Sequence, residues 1–161
     1  MDSHCEAERL IAILRSKGKR MSAAESCTGG SIGSAITDIP GSSDVFMGSA
    51  VTYSNDSKES ILGVSHDTLL QHGAVSEETA REMVLGSIEA YRSDYAVAVT
   101  GIAGPGGGTA IKPVGLVYIA VADGPRTVVT RNVFTGDRAS VRSQTVMEAL
   151  SLLTDMVEGR L

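Results

Sequence analysis

Two hydroxyls and a thiol lie together in a glycine-rich turn near the amino terminus. The segment 24–31, Ala-Glu-Ser-Cys-Thr-Gly-Gly-Ser, follows a short apolar run and precedes apolar residues at helical spacing. Free N–H groups at a helix start, together with the helix dipole, favour an anion at that position. The segment therefore predicts either a phosphate cradle or a nucleophile beside an oxyanion hole. In the second case Ser26 is the nucleophile and the N–H groups of Thr28, Gly29 or Gly30 receive the oxyanion; the alternative is that Ser26 and Thr28 are ordinary helix N-caps.

A tyrosine and a lysine flank a second polar turn, Tyr-Ser-Asn-Asp-Ser-Lys. Tyr53 ends a predicted strand, and Lys58 falls in the first turn of the helix that follows. The positive end of the helix dipole disfavours a cation there, so we expect the pKa of Lys58 to fall below its ordinary value. A neutral lysine can act as a general base, and a neighbouring tyrosine can relay or share the proton. The alternative is a surface lysine near Glu59 and a tyrosine that only packs its ring.

Two further segments have the composition of ligand-binding loops. Five glycines in residues 100–108 allow a backbone to approach a ligand closely, although the sequence is not a phosphate-binding Walker A loop. Gly136-Asp137-Arg138 begins the last predicted helix, and Arg142 follows one turn later; guanidinium groups suit phosphate or carboxylate. The alternatives are a flexible surface loop and a helix cap with solvated charges.

The bulk composition excludes several classes of protein. A net charge of −5, a pI near 5.1 and 4% aromatic residues argue against a nucleic-acid groove. Cys5 and Cys27 have no zinc-type spacing, and His4, His66 and His72 form no ligand pattern with them, so we expect no metal site and no cofactor. No apolar run approaches the ~20 residues needed to span a bilayer. We therefore expect a cytoplasmic protein with two free thiols and no membrane contact.

Apolar periodicity and turn residues predict an alternating order of elements. We predict a first helix capped by Asp2 or Ser3 and stopped by Gly18, a second over 29–38, a short one from the Ser54–Ser57 cap to near Gly63, one that Ser76 caps with apolar positions from Ala80 to Tyr91, and a last one from Asp137 onward. We predict strands over 20–25, 45–53, 95–100, 114–122 and 127–134, and a loop over 64–75 that carries His66 and His72. The strand at 95–100 is continuously apolar, which is typical of a central strand buried on both faces. This order predicts an α/β fold, a three-layer α/β/α sandwich around a mixed sheet of about five strands, in a single domain over 1–161.

The motifs taken together closely resemble one family, the CinA carboxy-terminal domain or nicotinamide-nucleotide amidohydrolase family. The resemblance covers about residues 6 to 158. It is carried in order by AESCTGG at 24–30, PGSS at 40–43, VTYSN at 51–55 with Lys58, HGAVSE at 72–77, VTGIAGP at 99–105, KPVG at 112–115 and GDR at 136–138.

The resemblance implies an amidohydrolase that converts nicotinamide mononucleotide to nicotinate mononucleotide and ammonia without a metal. It implies Ser26, Tyr53 and Lys58 as catalytic residues and gives Cys27 no catalytic role. The substrate-binding residues that it implies are Thr28, Gly29, Gly30, Asn55, Thr100, Gly101, Gly104, Arg138 and Arg142, with the choice between the two arginines open.

The resemblance also bears on what accompanies this domain. Many family members carry an amino-terminal domain that resembles molybdopterin-binding proteins and is linked to a pyrophosphatase activity; 161 residues leave no room for it, so we expect that activity to be absent. We expect a homo-oligomer, because small α/β hydrolases often pair through helices or edge strands. A nucleotide-binding module without hydrolysis and an amidase for another small substrate remain the alternative functions.

Overall fold

The computed structural model describes residues 2–161, which form an α/β fold. Its elements are α1 (Ser3–Lys17), β1 (Met21–Glu25), α2 (Ser31–Thr37), a 3-10 turn (Ser42–Asp44), β2 (Phe46–Val51), α3 (Asn55–Leu62), α4 (His66–His72), α5 (Glu77–Tyr91), β3 (Tyr95–Gly101), β4 (Leu116–Ala122), β5 (Thr127–Val133) and α6 (Arg138–Val157).

The five strands form one mixed sheet in the order β2-β1-β3-β4-β5. Strand β1 runs parallel to both β2 and β3, whereas β4 is antiparallel to β3 and β5 is antiparallel to β4. The predicted central strand is confirmed, because β3 lies in the middle of the sheet and its residues 96–100 are fully buried. Alternate side chains of β3 enter two different cores, Val97 and Val99 on one face and Ala96 and Ala98 on the other.

Helices cover both faces of this sheet, which confirms the three-layer prediction. Helices α1, α2 and α6 pack together on one face, and α5 packs against the strands on the other face with α3 and α4 beside it. The larger core lies under α1 and α6 and is built mainly from Leu, Ile and Val. The smaller core under α5 is rich in alanine, so this helix lies close to the sheet.

Most element ends are where the capping residues predict them. Asp2 caps α1 by accepting a hydrogen bond from the N–H of Cys5 at 2.8 Å, and Gly18 ends the helix in the left-handed region with φ of 61°. Side chains of Ser54, Ser76 and Asp137 cap α3, α5 and α6 in the same way.

One predicted loop is wrong. Residues 64–75 contain the seven-residue helix α4, which carries both His66 and His72. Only Leu69 of this helix is buried, so its sequence has too few inward positions to show a helical period.

Parallel pairing places three strand ends at one edge of the sheet. The carboxyl ends of β1, β2 and β3 point the same way, so the chain leaves the sheet at Ser26, Thr52 and Ile102 in neighbouring positions. In open α/β sheets this edge is where ligands bind.

Helix α3 carries Lys58, and it is held against α5 by a close backbone approach. A Cβ atom built on Gly86 of α5 would overlap the main-chain carbonyl of Leu62 at the end of α3. Backbone at this position cannot move aside as a flexible side chain can. The position of Lys58 therefore depends on the absence of a side chain at Gly86.

We expect Gly86→Ala to lower the free energy of unfolding by about 1–3 kcal/mol, as overpacked sites do. A loss of stability is informative, because Gly→Ala in a helix with free space around the position would raise the free energy of unfolding by up to about 1 kcal/mol. Urea unfolding followed by circular dichroism measures it. Gly106→Ala is the matched control, since a Cβ there meets nothing within 4 Å and Gly106 is not in the left-handed region. Equal stability of the Gly86 variant and the wild type would contradict the close approach.

Candidate active site

Ser26 is the first residue after β1 and begins a tight turn into α2. Its main-chain carbonyl accepts a hydrogen bond from the N–H of Gly29 at 3.0 Å. Gly29 and Gly30 have φ of 59° and 100°, which L side chains rarely adopt, so the Gly-Gly pair is required by the turn. The Ser26 side chain lies in a nearly buried position, with 9% of the residue exposed.

The start of α2 already holds an anionic side chain from the chain itself. The carboxylate of Glu25, fully buried, accepts hydrogen bonds from the N–H groups of Ile32 at 2.9 Å and Gly33 at 3.1 Å. A phosphate cradle was one of the two predictions for this helix start, and in the structure the Glu25 carboxylate occupies that position. The signal that could have indicated it is an acidic residue at the end of a buried strand, directly before the turn.

Lys58 reaches Ser26 from α3. Its Nζ donates hydrogen bonds to the main-chain carbonyl of Thr52 at 2.7 Å and to Oγ of Ser26 at 3.0 Å. The alternative of a surface lysine is wrong, because only 1% of Lys58 is exposed. Burial lowers the pKa of Lys58 from its ordinary value of 10.5, since removal from water disfavours the charged form. The predicted direction is therefore right, but its main cause is burial and not the helix dipole.

Tyr53 lies at the open side of the site and contacts an arginine. It is 63% exposed, and its hydroxyl accepts a hydrogen bond from Nη2 of Arg138 at 3.1 Å. The same guanidinium donates through Nη1 to the main-chain carbonyl of Gly104 at 2.9 Å. Arg138 thus bridges the chain that follows β2 and the chain that follows β3.

Arg142 has a different environment from Arg138. Its Nε donates to the carbonyl of Cys27 at 3.0 Å, and its Nη2 donates to the carbonyl of Thr28 at 2.9 Å and to Oγ of Ser31 at 3.3 Å. The guanidinium is therefore engaged with the Ser26 turn.

A cavity of about 290 Å³ opens at this edge of the sheet. The predicted site residues that line it are Ser26, Tyr53, Asn55, Lys58, Thr100, Gly101, Gly104 and Arg138. Four other predicted residues do not line it: Thr28, Gly29, Gly30 and Arg142. The cavity is also lined by residues that were not predicted as part of a site: Cys27, Ala74, Val75, Ile102, Ala103, Gly106 and Gly107.

One wall of the cavity is fixed to the central strand. The hydroxyl of Thr100 donates to the main-chain carbonyl of Ala74 at 2.7 Å, which joins the end of β3 to the segment before α5. The facing wall is the glycine-rich chain after β3. Because Gly106 and Gly107 lack side chains, this wall presents main-chain groups to the cavity.

Cys27 lines the cavity beside Ser26 but has a poorly reactive thiol. Burial raises its pKa to about 11, so it is protonated near neutral pH. The thiolate is the nucleophilic form of cysteine, and Cys27 therefore does not compete with Ser26 as a nucleophile.

The histidines lie outside this cavity. Nδ1 of His66 is 2.8 Å from Oε1 of Glu59, and the main-chain carbonyl of His72 accepts a hydrogen bond from Nζ of Lys112 at 2.6 Å. Within residues 2–161, no group of three or more His, Cys, Asp or Glu side chains is arranged to hold a metal ion. None of the helices in that range combines the length and apolar character needed to cross a membrane.

Known proteins share this sequence and fold. Residues 4–157 match the family model of the CinA C-terminal domain. A CinA-like protein of Endomicrobium trichonymphae is 55% identical over 88% of this chain and 33% of its own length. The nicotinamide-nucleotide amidohydrolase PncC of Escherichia coli is 47% identical over 91% of this chain and 90% of its own length.

The crystal structure of the competence/damage inducible protein CihA from Agrobacterium tumefaciens superposes with a TM-score of 0.95 at 43% identity. The superposition covers 98% of this chain and 96% of that one. This chain spans about a third of the length of the relatives named CinA-like protein, between 33% and 37%. By sequence and by fold, the chain belongs to the CinA C-terminal domain family.

Proposed function

We propose that this protein is a serine amidohydrolase that deamidates nicotinamide mononucleotide, with Ser26 as nucleophile and Lys58 as general base. The observation that carries the proposal is the 3.0 Å separation of Lys58 Nζ and Ser26 Oγ in a cavity. The substrate class comes from the name of the E. coli relative, a nicotinamide-nucleotide amidohydrolase. Other small carboxamides are the alternative substrates.

Acyl-enzyme formation begins with Lys58 in its neutral form. Its amine takes the hydroxyl proton as Ser26 Oγ forms a bond to the carboxamide carbon, which gives a tetrahedral oxyanion. The protonated Lys58 then gives this proton to the amide nitrogen, the C–N bond breaks, and ammonia leaves. Water attacks the resulting ester while Lys58 accepts its proton, and the C–O bond to Ser26 breaks as the hydroxyl is regenerated. The Thr52 carbonyl supports these steps, because it keeps one N–H of Lys58. In the neutral amine the lone pair takes the place of the N–H directed at Ser26 Oγ, so this hydrogen bond reverses and Ser26 donates to Lys58.

The oxyanion needs a hydrogen-bond donor near Ser26. The N–H of Gly29 is already donated to the Ser26 carbonyl, and Thr28 is fully buried. The same bond turns the N–H of Cys27 the opposite way, because carbonyl and N–H of a trans peptide are antiparallel. Because Cys27 lines the cavity, we propose its N–H as the donor to the oxyanion.

In this proposal Tyr53 is not needed as a proton relay, and Arg138 binds the substrate. The hydroxyl of Tyr53 is bonded to Arg138, and Lys58 contacts Ser26 directly, so the direct proton transfer is favoured over relay through Tyr53. Of the two candidate arginines, Arg138 lines the cavity and is the group proposed to bind the substrate phosphate.

We expect Ser26→Ala to lower kcat for ammonia release from nicotinamide mononucleotide by at least about 10³-fold, as loss of a nucleophile does in serine hydrolases. A coupled ammonia assay measures the rate. The matched control is Ser34→Ala, which removes an exposed hydroxyl on the following helix and is expected to leave kcat unchanged. Near-normal turnover by Ser26→Ala would exclude Ser26 as nucleophile, and binding without ammonia release by the wild type would favour a binding module.

We expect kcat/KM to rise with pH through the pKa of Lys58, because only the neutral amine accepts the proton. Since burial lowers this pKa, the rise is complete at a lower pH than an exposed lysine with a pKa of 10.5 would allow. Lys58→Met should lose this limb together with most of the rate, and Lys17→Met, on the exposed end of α1, should keep both. A pH–rate profile that is the same in Lys58→Met and wild type would exclude Lys58 as the base.

We expect Arg138→Met to raise KM for nicotinamide mononucleotide about 10-fold or more, since a hydrogen bond to a charged group contributes about 1.5–3 kcal/mol. Nicotinamide riboside lacks the phosphate, so its KM should change far less. This second substrate separates phosphate binding from the contacts of Arg138 with Tyr53 and Gly104. Arg131→Met, at an exposed position of the edge strand β5, is the control arginine. Equal KM changes for both substrates would contradict phosphate binding by Arg138.

A further inference from the structure

The turn that carries the proposed nucleophile is closed by its own backbone hydrogen bonds, from Gly29 to Ser26 and from Ser31 to Thr28, but its sequence is flexible. It joins β1 to α2 through residues 26–30 and contains two adjacent glycines with positive φ. Glycine gives a chain more conformational freedom than any other residue, so ordering such a turn costs the most entropy. A fixed position for Ser26 Oγ therefore requires contacts from outside the turn.

One set of contacts comes from α6 and engages the carbonyl groups of the turn. Arg142 bridges the carbonyls of Cys27 and Thr28 and also reaches Oγ of Ser31. The planar guanidinium presents its N–H groups in a fixed fork, so two bonded carbonyls fix the orientation of two successive peptides. A lysine, with a single compact ammonium on a flexible stem, lacks this geometry.

The other set comes from Glu25 and engages donor groups. Its Oε1 accepts from Oγ1 of Thr28 at 2.7 Å and from the N–H of Ile32 at 2.9 Å. Its Oε2 accepts from the N–H of Gly33 at 3.1 Å and from Oγ of Ser49 at 2.6 Å. One fully buried carboxylate thereby joins the turn, the start of α2 and strand β2.

We propose that Arg142 and Glu25 are positioning residues for the amidohydrolase reaction, which hold the Ser26 turn through its carbonyls and its donors respectively. Neither side chain lines the 290 Å³ cavity beside Ser26. Arg142 also lines a neighbouring cavity of about 670 Å³ that shares Ala103 and Arg138 with the first, so its test must separate positioning from substrate binding. Their contacts keep Ser26 Oγ within 3.0 Å of Lys58 Nζ. This inference rests on the proposed function, and Arg142 changes from a predicted substrate-binding group to one that acts through the turn.

The first experiment separates kcat from KM for Arg142→Lys and Arg142→Met. Both variants should lower kcat about 100-fold, the size of effect that a displacement of about 1 Å produces, with little change in KM. The factor should be the same for nicotinamide mononucleotide and nicotinamide riboside, because the turn does not bind the phosphate. A rise in KM for the nucleotide alone, with kcat kept, would overturn the inference and return Arg142 to substrate binding.

Glu25→Gln tests the second set of contacts with almost no change in shape. Whichever oxygen becomes an NH₂ group, it faces a backbone N–H, of Ile32 or Gly33, that cannot accept a hydrogen bond. The turn should lose its fixed position, and kcat should fall in the same way as for Arg142→Lys. Unchanged kcat in Glu25→Gln would overturn the assignment of Glu25.

Two matched controls have the same kinds of contact elsewhere in the fold. Arg15 donates to the main-chain carbonyl of Gly41 at 3.0 Å, and Glu82 accepts from the N–H of Ser65 at 2.9 Å. Arg15→Met and Glu82→Gln remove these contacts without touching the Ser26 turn. Both are expected to keep the wild-type kcat, and a loss in them as large as in the test variants would overturn the inference.

The rate of labelling by a serine-directed fluorophosphonate is a readout that loss of folding alone does not change. Ser26 Oγ displaces fluoride from phosphorus, so the amplitude of labelling counts intact sites and its rate reports the reactivity of Ser26. We expect the variants at Arg142 and Glu25 to keep most of the amplitude but to label about 100-fold more slowly. Lower amplitude at the wild-type rate would mean a structural role only and would overturn the inference.

The same measurements keep the two proposals distinct. If the wild type releases ammonia and is labelled at Ser26 while the variants react at its rate, the positioning inference fails and the proposed function stands. If the wild type neither releases ammonia from nicotinamide mononucleotide nor labels at Ser26, the proposed function itself fails.

Discussion

The buried amine of Lys58 is the contact on which the rest of the site depends. Removing an ammonium from water is costly, so burial favours the neutral amine and also requires hydrogen-bond partners for it. The partners are the Thr52 carbonyl, just past the end of β2, and the Ser26 hydroxyl, just past the end of β1. The Nζ atom of Lys58 therefore links the chain after β1 to the chain after β2. The burial that makes these contacts necessary also lowers the pKa of Lys58.

The surrounding elements set the positions of the Lys58 amine and the Ser26 hydroxyl. The Ser54 cap begins α3 four residues before Lys58, and Gly86 allows α5 to hold the end of that helix closely. Parallel pairing of β1 with β2 and β3 places the third strand end, with its glycine-rich chain, against the same cavity. Helix α6 then returns two arginines to this edge. They are one turn apart, yet Arg138 lies at the open side of the cavity and Arg142 lies against the carbonyls of the Ser26 turn.

Much of the fold could be predicted from local patterns. Caps such as Asp2, Ser54 and Asp137 are short-range hydrogen bonds, and the continuous apolar run of β3 is typical of a central strand; both appear in the structure. Helix α4 could not be predicted in this way, because one buried residue shows no period. The cause of the lowered pKa of Lys58 was also out of reach, since the depth of burial depends on what α5 and the strand ends contribute.

The sequence by itself determined the fold class, most element ends and the family, and it singled out Ser26 and Lys58 as candidate catalytic groups. The fold class and element ends follow from apolar periodicity and capping, which are properties of neighbouring residues, and the family follows from the order of its short motifs. Only the tertiary structure decided which polar groups are engaged and which face the cavity. The Glu25 carboxylate at the start of α2 also accepts a hydrogen bond from Ser49, which is 24 residues away in the chain. Arg142 donates to the carbonyl of Cys27, which is 115 residues away. A hydrogen bond between such distant positions leaves no local pattern, so the contacts of Arg142 and the bond from Ser49 to Glu25 emerge only when the chain is folded.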